Sequence, residues 1–342
     1  MFFNLPLRSA PQRALRAAAL GLCVTTALLP TAGRSAEARL SAPGASDALT
    51  QRLQGASSVL GADPQVDAQE LLAAALSDYR TLVQVLYDAG HFAPQVNIRL
   101  DGQEAARIEP LNAPRQINQV RITVIPGPSF RFSRAEITPW PTNSTVERPA
   151  GFATGQPATT GILRDASAAG LLAWRRAGHP KARLAQQAIT ANHRANTLDA
   201  RLTMAPGAQL RFGALRLVTP SAVRAEAIQR IASLPTGAVY HPDLVAKSAT
   251  RLRRTGAFSS VTLRPEDQPN PDGTLDYIAT VEDLPLRRLT FGAQLSSSDG
   301  IEITTSWMHR NLFGGAEKLR FETRLSGLGG SNDIDGRIAL RL

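Results

Sequence analysis

Cysteine is almost absent from this chain of 342 residues, which has only Cys23. That residue lies in a segment with the marks of a cleaved leader, so the mature chain is expected to have none. This excludes disulfides and cysteine nucleophiles, and it fits a periplasmic protein held by packing alone. Lysine is nearly absent too: of 38 Lys and Arg residues, only Lys181, Lys247 and Lys318 are lysines. The net charge of +10 is therefore a scattered arginine surface rather than a basic tract. No finger spacing and no aromatic-studded basic strand accompanies it, so nucleic acid is not an expected partner; anionic lipid or an acidic protein better suits a basic face. Aromatics make up 5% against 43% hydrophobic residues, a globular balance. No run of about 18 apolar residues is present, which excludes a transmembrane helix.

The first 38 residues read as an export signal. Arg8, Arg13 and Arg16 precede an apolar run over 17–29, followed by Pro30 and small residues up to Ala36 and Ala38, where cleavage is expected. Leu22 stands before Cys23 where a lipoprotein anchor needs a small residue.

Catalytic signatures are missing as well. His91, His179, His193, His241 and His309 have no metal-ligand spacing, and His91 and His179 occupy matching positions after Gly, where a turn role is expected. No Ser sits in a nucleophile elbow. The glycine-rich 326–333 lacks the Lys of a phosphate loop, and DIDG at 333–336 is a calcium-loop fragment without its later ligands. Neither an enzyme, a metal site nor a cofactor is expected.

What the chain does have is a repeat. RITVIPGPSFRF at 121–132 returns as RLTMAPGAQLRF at 201–212, with Pro126-Gly127 matching Pro206-Gly207 and Arg131-Phe132 matching Arg211-Phe212. NTLDARLTM at 196–204 is echoed by GTLDYIATV at 273–281, both alternating with period two, hence strands. A second anchor precedes each: AGHF at 89–92, AGHP at 177–180 and TGAF at 255–258, each following a helical stretch. In the last copy Pro242 opens a helix, Arg251, Arg253 and Arg254 gather in its final turn, and Gly256 is expected as a left-handed cap before a strand starting at Phe258. A further helix is expected over 221–234, opening on Ser221, after a strand over 209–218. The unit runs strand, helix, helix, strand, strand. Three copies fit, over 39–125, 126–206 and 207–284, joined by short Pro-Gly linkers. The first has a weak opening strand, and an insertion rich in Pro, Gly and Thr after Pro139 in the second leaves its helix pair reduced or displaced. Phe132 and Phe212 are expected to be buried, one per unit, with the neighbouring Arg pointing outward.

From 285 the pattern changes to four strands of about ten residues, each with one apolar face, the length and alternation of an outer-membrane barrel. Leu289, Phe291, Ala293 and Leu295 share one face; Ile301, Ile303, Thr305 and Trp307 share another; Asp299-Gly300 is a hairpin signal, and Trp307 suits an interfacial belt. The chain stops within an alternating strand, so it is expected to be the amino-terminal part of a longer protein.

The unit resembles the polypeptide-transport-associated (POTRA) domain, with Gly90, Phe92, Gly178, Gly256, Phe258, Phe132 and Phe212 as its structural positions. RNLFGGAEKLR at 310–320, including Asn311, Leu312, Phe313, Gly314 and Gly315, resembles an early barrel hairpin of the BamA/TamA superfamily. Three such units before barrel strands resemble the TamA-like outer-membrane assembly factors. The resemblance implies an α+β chain: a signal peptide (1–38), three tandem POTRA domains in the periplasm, and the first four strands (285–342) of an outer-membrane β-barrel. It implies a factor for inserting or secreting autotransporter-type and other β-barrel clients. Its partners would be unfolded outer-membrane proteins, outer-membrane lipid and a periplasm-spanning TamB-like protein. The first barrel strand, at Leu289, Thr290, Phe291, Gly292, Ala293, Gln294 and Leu295, would then pair with client strands. Exposed POTRA sheet edges offer a second, sequence-tolerant pairing surface. A two-partner-secretion transporter, a BamA-type insertase, which normally carries five such units, and a soluble periplasmic scaffold are the alternatives.

Overall fold

The computed structural model describes residues 36–63, 65–110, 114–296, 300–328 and 334–342. Of the expected leader over 1–38, residues 1–35, with Cys23, lie outside the described residues, whereas Glu37 and Ala38 open the first strand, paired with Gln119 and Val120; Asp299 of the hairpin signal and 329–333 of the glycine-rich stretch also lie outside them.

The first unit comprises β1 (Glu37–Ser41), α1 (Asp47–Ala56), α2 (Ala68–Asp88), β2 (Gln95–Leu100), β3 (Gln103–Glu104) and β4 (Gln119–Ile125). The Ser46 hydroxyl accepts from Leu49 N to cap α1, and the Asp67 carboxylate accepts from Glu70 N to cap α2. β4 lies between β1, which runs parallel to it, and antiparallel β2. Leu53, Leu72, Leu82 and Leu86 of the helices bury against Ile98, Val120, Ile122 and Val124 of the sheet. Asp78, fully buried in α2, accepts from the Ser57 hydroxyl and from Ser58 and Val59 N, so it pins the end of α1 to α2. No spacing in the sequence announces that clasp.

Tyr79 makes this unit sensitive to alkali. Burial, reinforced by the Glu104 carboxylate that accepts its hydroxyl, pushes the phenol from 10.0 up to about 12. A raised folded pKa means the contribution to stability is complete below the unfolded value and is lost as pH rises through the folded one. Segment 39–125 contains no lysine to titrate in the same window. Its stability is therefore expected to fall between about pH 10 and 12, and Tyr79→Phe should flatten that decline. A denaturant titration across the window in which both proteins decline alike would remove Tyr79 as the cause.

The second unit comprises β5 (Arg131–Thr138), α3 (Thr160–Arg176), β6 (Arg183–Asn192) and β7 (Thr197–Ala205), with sheet order β5-β7-β6. It has one helix where the repeat has two. In place of the missing helix, the insertion brings Phe152 edge-on to Phe132, centroids 5.2 Å apart, and holds Trp140 under the Arg148 guanidinium. Pro and Gly in the insertion disfavour a helix, and Phe152 joins the buried cluster around Phe132.

The third unit comprises β8 (Arg211–Leu217), α4 (Ala225–Ala232), α5 (Pro242–Arg254), β9 (Phe258–Pro265) and β10 (Thr274–Asp283), ordered β8-β10-β9. α4 is shorter than the expected 221–234. The Ser221 hydroxyl donates to Asp283 and accepts from Val223 N, while Ala222 N donates to the same carboxylate, so 221–223 is held as a turn on β10. At the other end Ser233 is left-handed, with φ 47°, and the residue before Pro235 is steered away from helix. α5 ends where Gly256 takes φ +66°.

The last sheet is an antiparallel meander of β11 (Arg287–Ser296), β12 (Gly300–His309), β13 (Leu319–Leu328) and β14 (Asp335–Arg341), in that order. Apart from Ala173 and Ala182, the buried apolar residues among those described fall into three clusters, one per unit, and the meander adds only Ala316, from its β12–β13 turn. No described helix is long and apolar enough to cross a membrane, which leaves strands untouched by the statement.

Candidate strand-pairing and membrane-facing site

Paired residues of antiparallel strands point to the same side, so the register shows what each face of the meander carries. Leu289 lies opposite Trp307, which lies opposite Phe321, which lies opposite Leu340. The next row on that face is Phe291, Thr305, Thr323 and Ile338, and the one after it Ala293, Ile303, Leu325 and Gly336. Nothing among the described residues covers this face: Phe291 is 71% exposed and Leu295 80%. On the reverse face Arg320 pairs with Glu322 at 3.0 Å and Arg324 with Glu302 at 3.3 Å, among Arg288, Thr290 and Gln294. A soluble sheet does the opposite, hiding its apolar side and wetting its polar one.

β11 pairs with β12 along its whole length and, among the described residues, with no other strand. Leu289 to Leu295 therefore form an open edge, with unpaired backbone groups on one flank. Gly292, opposite Thr304, has no side chain to contribute to a cross-strand pair, and a Cβ there would touch only Thr304, at 4.0 Å. The outer strands β6 and β9 are further edges on the second and third units.

The other positions marked in the sequence sit in cores, turns and joints. Phe132 and Phe212 are buried, and Arg131 and Arg211, both exposed, each donate from Nη1 to a glycine carbonyl, Gly155 and Gly237, at 2.8 Å. Phe258 is buried at the start of β9. Phe92 sits instead at the junction between units, with Tyr87 on one side and Phe130 of the second unit on the other. Gly90 and Gly178 take φ +86° and +95°. The histidine after each does more than occupy a turn. His91 Nδ1 meets the Gly127 carbonyl and His179 Nδ1 meets the Gly207 carbonyl, both at 2.9 Å. Each Nδ1 must carry a hydrogen to bond a carbonyl. In the same joints Phe130 N donates to Gly90 O and Leu210 N to Gly178 O. The two linkers are thus clasped by the same bonds, a joint whose AGH anchor recurs after 88 residues and whose linker recurs after 80.

His241 accepts from Asp243 N at the start of α5, His193 lies edge-on to Phe130, and His309 Nδ1 accepts from Asn311 N. No group of His, Cys, Asp or Glu among the described residues could hold a metal ion. Asn311 to Gly315 form part of the β12–β13 turn, and that turn lies against the third unit: the Asn311 amide donates to Ala222 O, and Gly314 O accepts from Arg224 N.

Comparison with solved structures agrees with this architecture. BamA from Haemophilus ducreyi lacking POTRA domains 1-3 matches with a TM-score of 0.50 at 16% identity, over 62% of this chain and 39% of that one. BamA POTRA3-5 from Haemophilus influenzae matches with a TM-score of 0.46 at 16% identity, over 73% and 96%. CdiB from Escherichia coli matches with a TM-score of 0.34 at 15% identity, over 63% and 39%. The chain thus spans about two-fifths of the length of the first of these, 39%. No protein-family model and no curated protein matches the sequence. At such identities the likeness concerns the fold, an α+β chain of POTRA-like repeats followed by barrel strands.

Proposed function

We propose that the chain belongs to an outer-membrane protein assembly or transport factor of the Omp85 superfamily, to which BamA and TamA-like factors belong. In this reading three POTRA domains, over 39–125, 126–206 and 207–284, stand in the periplasm and the strands from 285 onward form part of a closed barrel. The carrying observation is the four-stranded sheet with one bare apolar face and an open edge at β11. Lipid suits the bare face. The edge is then the reactive feature, because at membrane depth backbone N–H and C=O groups must be paired, either with the closing strand of the barrel or with a strand from a client. Main-chain pairing tolerates many client sequences, as an assembly factor requires. The finer assignment is a TamA-like factor that serves autotransporter-type clients and docks a TamB-like partner on its POTRA side. It rests on three units in tandem together with the RNLFGG turn.

Cysteines placed singly from Leu289 to Leu295 in the whole protein are expected to crosslink to the terminal strand of a stalled client, the preferred client position moving in step with the register. Crosslinks confined to β6 and β9 would instead make the chain a periplasmic docking platform. A client that threads through the barrel without touching β11 would favour the secretion transporter.

A further inference from the structure

The turn between β12 and β13 is nine residues long, 310–318, and most of its polar groups are spent on holding one shape. Leu312 N donates to Glu317 O, and the Glu317 carboxylate accepts from Phe313 N at 3.2 Å and Gly315 N at 3.0 Å. The Asn311 side-chain oxygen accepts from Ala316 N at 2.9 Å. Backbone N–H groups, its own first and then those of Gly315 and Phe313, hold the Glu317 carboxyl below the usual carboxylate range, and the Arg224 charge adds to this. Ala316 is left-handed, φ +66°, an uncommon state for a residue with a side chain, yet it is 9% exposed and belongs to the buried cluster of the third unit.

So shaped, the turn reaches two places at once. Toward the third unit, the Asn311 amide donates to Ala222 O at 2.6 Å, Arg224 N donates to Gly314 O at 2.9 Å, and the Arg224 side chain lies across Gly314. Toward the connector, Arg310, only 7% exposed, donates from its backbone to Leu286 O at 2.8 Å and from Nη1 to Pro285 O at 2.7 Å. Leu286 is the residue immediately before β11. Residues 221 and 222 are themselves bonded to Asp283, at the other end of that connector. The contacts close a ring around a connector of three residues, 284–286, that would otherwise let the third unit swing.

We propose that the 310–318 turn is a latch that fixes the third unit on the sheet and thereby sets the orientation in which the edge strand β11 begins. A load or a docked partner on the periplasmic units is then transmitted to the edge rather than absorbed by a hinge. The latch itself stands on the contacts above; its consequence for client insertion rests on the function proposed in the preceding section.

The test uses the whole protein in lipid nanodiscs with nitroxide labels at Arg230→Cys and, on β14 away from the pairing strand, Arg337→Cys. The parent should give one narrow distance. Asn311→Ala removes the bond to Ala222 O across the joint and the bond from Ala316 N within the turn, and should add a second, broad population, with the undocked fraction rising at least about 2- to 10-fold for the bond that crosses the joint. Glu317→Gln, a milder change that keeps the shape, should lie between the two. Retained heat-modifiable gel mobility shows that the barrel is still folded. A second arm follows client insertion: Asn311→Ala should slow it, and an oxidised Ala222→Cys/Asn311→Cys pair should restore it. Unchanged distances in Asn311→Ala overturn the latch. Broadened distances with undiminished insertion overturn the coupling. A parent that inserts no client overturns the proposed function instead, and the distance measurement then decides the latch alone.

Discussion

Phe212→Ala is expected to lower the stability of the third unit by about 3–5 kcal/mol. The ring is fully buried and meets Tyr240 and Tyr277 at centroid distances of 5.6 and 5.7 Å. Both tyrosines are themselves anchored in the core, Tyr277 at 2% exposure, so the site cannot collapse around the missing ring. Domains of this size are stable by only about 5–15 kcal/mol, and the loss would take much of that. Urea unfolding of segment 207–284 measures it. Arg211→Ala is the control: its side chain is exposed and gives up one hydrogen bond, to Gly237 O, worth about 1 kcal/mol. Equal losses for the two variants would place the core of the unit somewhere other than around Phe212.

An arginine at Phe291 should be equally damaging, but only in a membrane. Phe291 lies mid-strand on the bare apolar face, so Phe291→Arg is expected to cost about 2–4 kcal/mol of folding in lipid. Gln294→Arg points the other way, to the face already lined by Arg324 and Glu302, and should cost close to nothing. Folding titrations of the whole protein into bilayers distinguish the two. Equal tolerance of arginine on both faces would mean that neither face meets lipid, and the sheet would then belong to a soluble scaffold.

The two variants draw on different parts of the sequence. The alternation of Leu289, Phe291, Ala293 and Leu295 is a local property, because a strand's side chains change sides at every residue whatever lies around it. The apolar faces of β11 to β14 were legible for that reason. So was α5: Pro242, the apolar stripe, the terminal arginines and Gly256 all lie within one short stretch, and each acts through backbone geometry close to its own position. The repeat was legible because the same local signals recur.

Other features depend on partners distant in the chain. Ser221 reads as a helix cap until Asp283, 62 residues on, takes its hydroxyl. The insertion in the second unit shows itself as a helix breaker, but that Phe152 would meet Phe132 edge-on depends on the packing of β5. His91 and His179 look like turn residues because the carbonyls they bond belong to linkers 36 and 28 positions away. Asn311 reads as part of a hairpin, yet its amide finds Ala222, 89 residues before it.

The sequence by itself determined the repeating α+β units, the change to alternating strands near 285 and the apolar side of each strand, since propensity, period and turn chemistry act over a few residues. Only the tertiary structure decided how units are clasped, what replaces a missing helix and where the β12–β13 turn comes to rest. Those outcomes are hydrogen bonds and buried contacts between segments that meet only once the chain has folded, and they leave no periodic trace in the residues that make them.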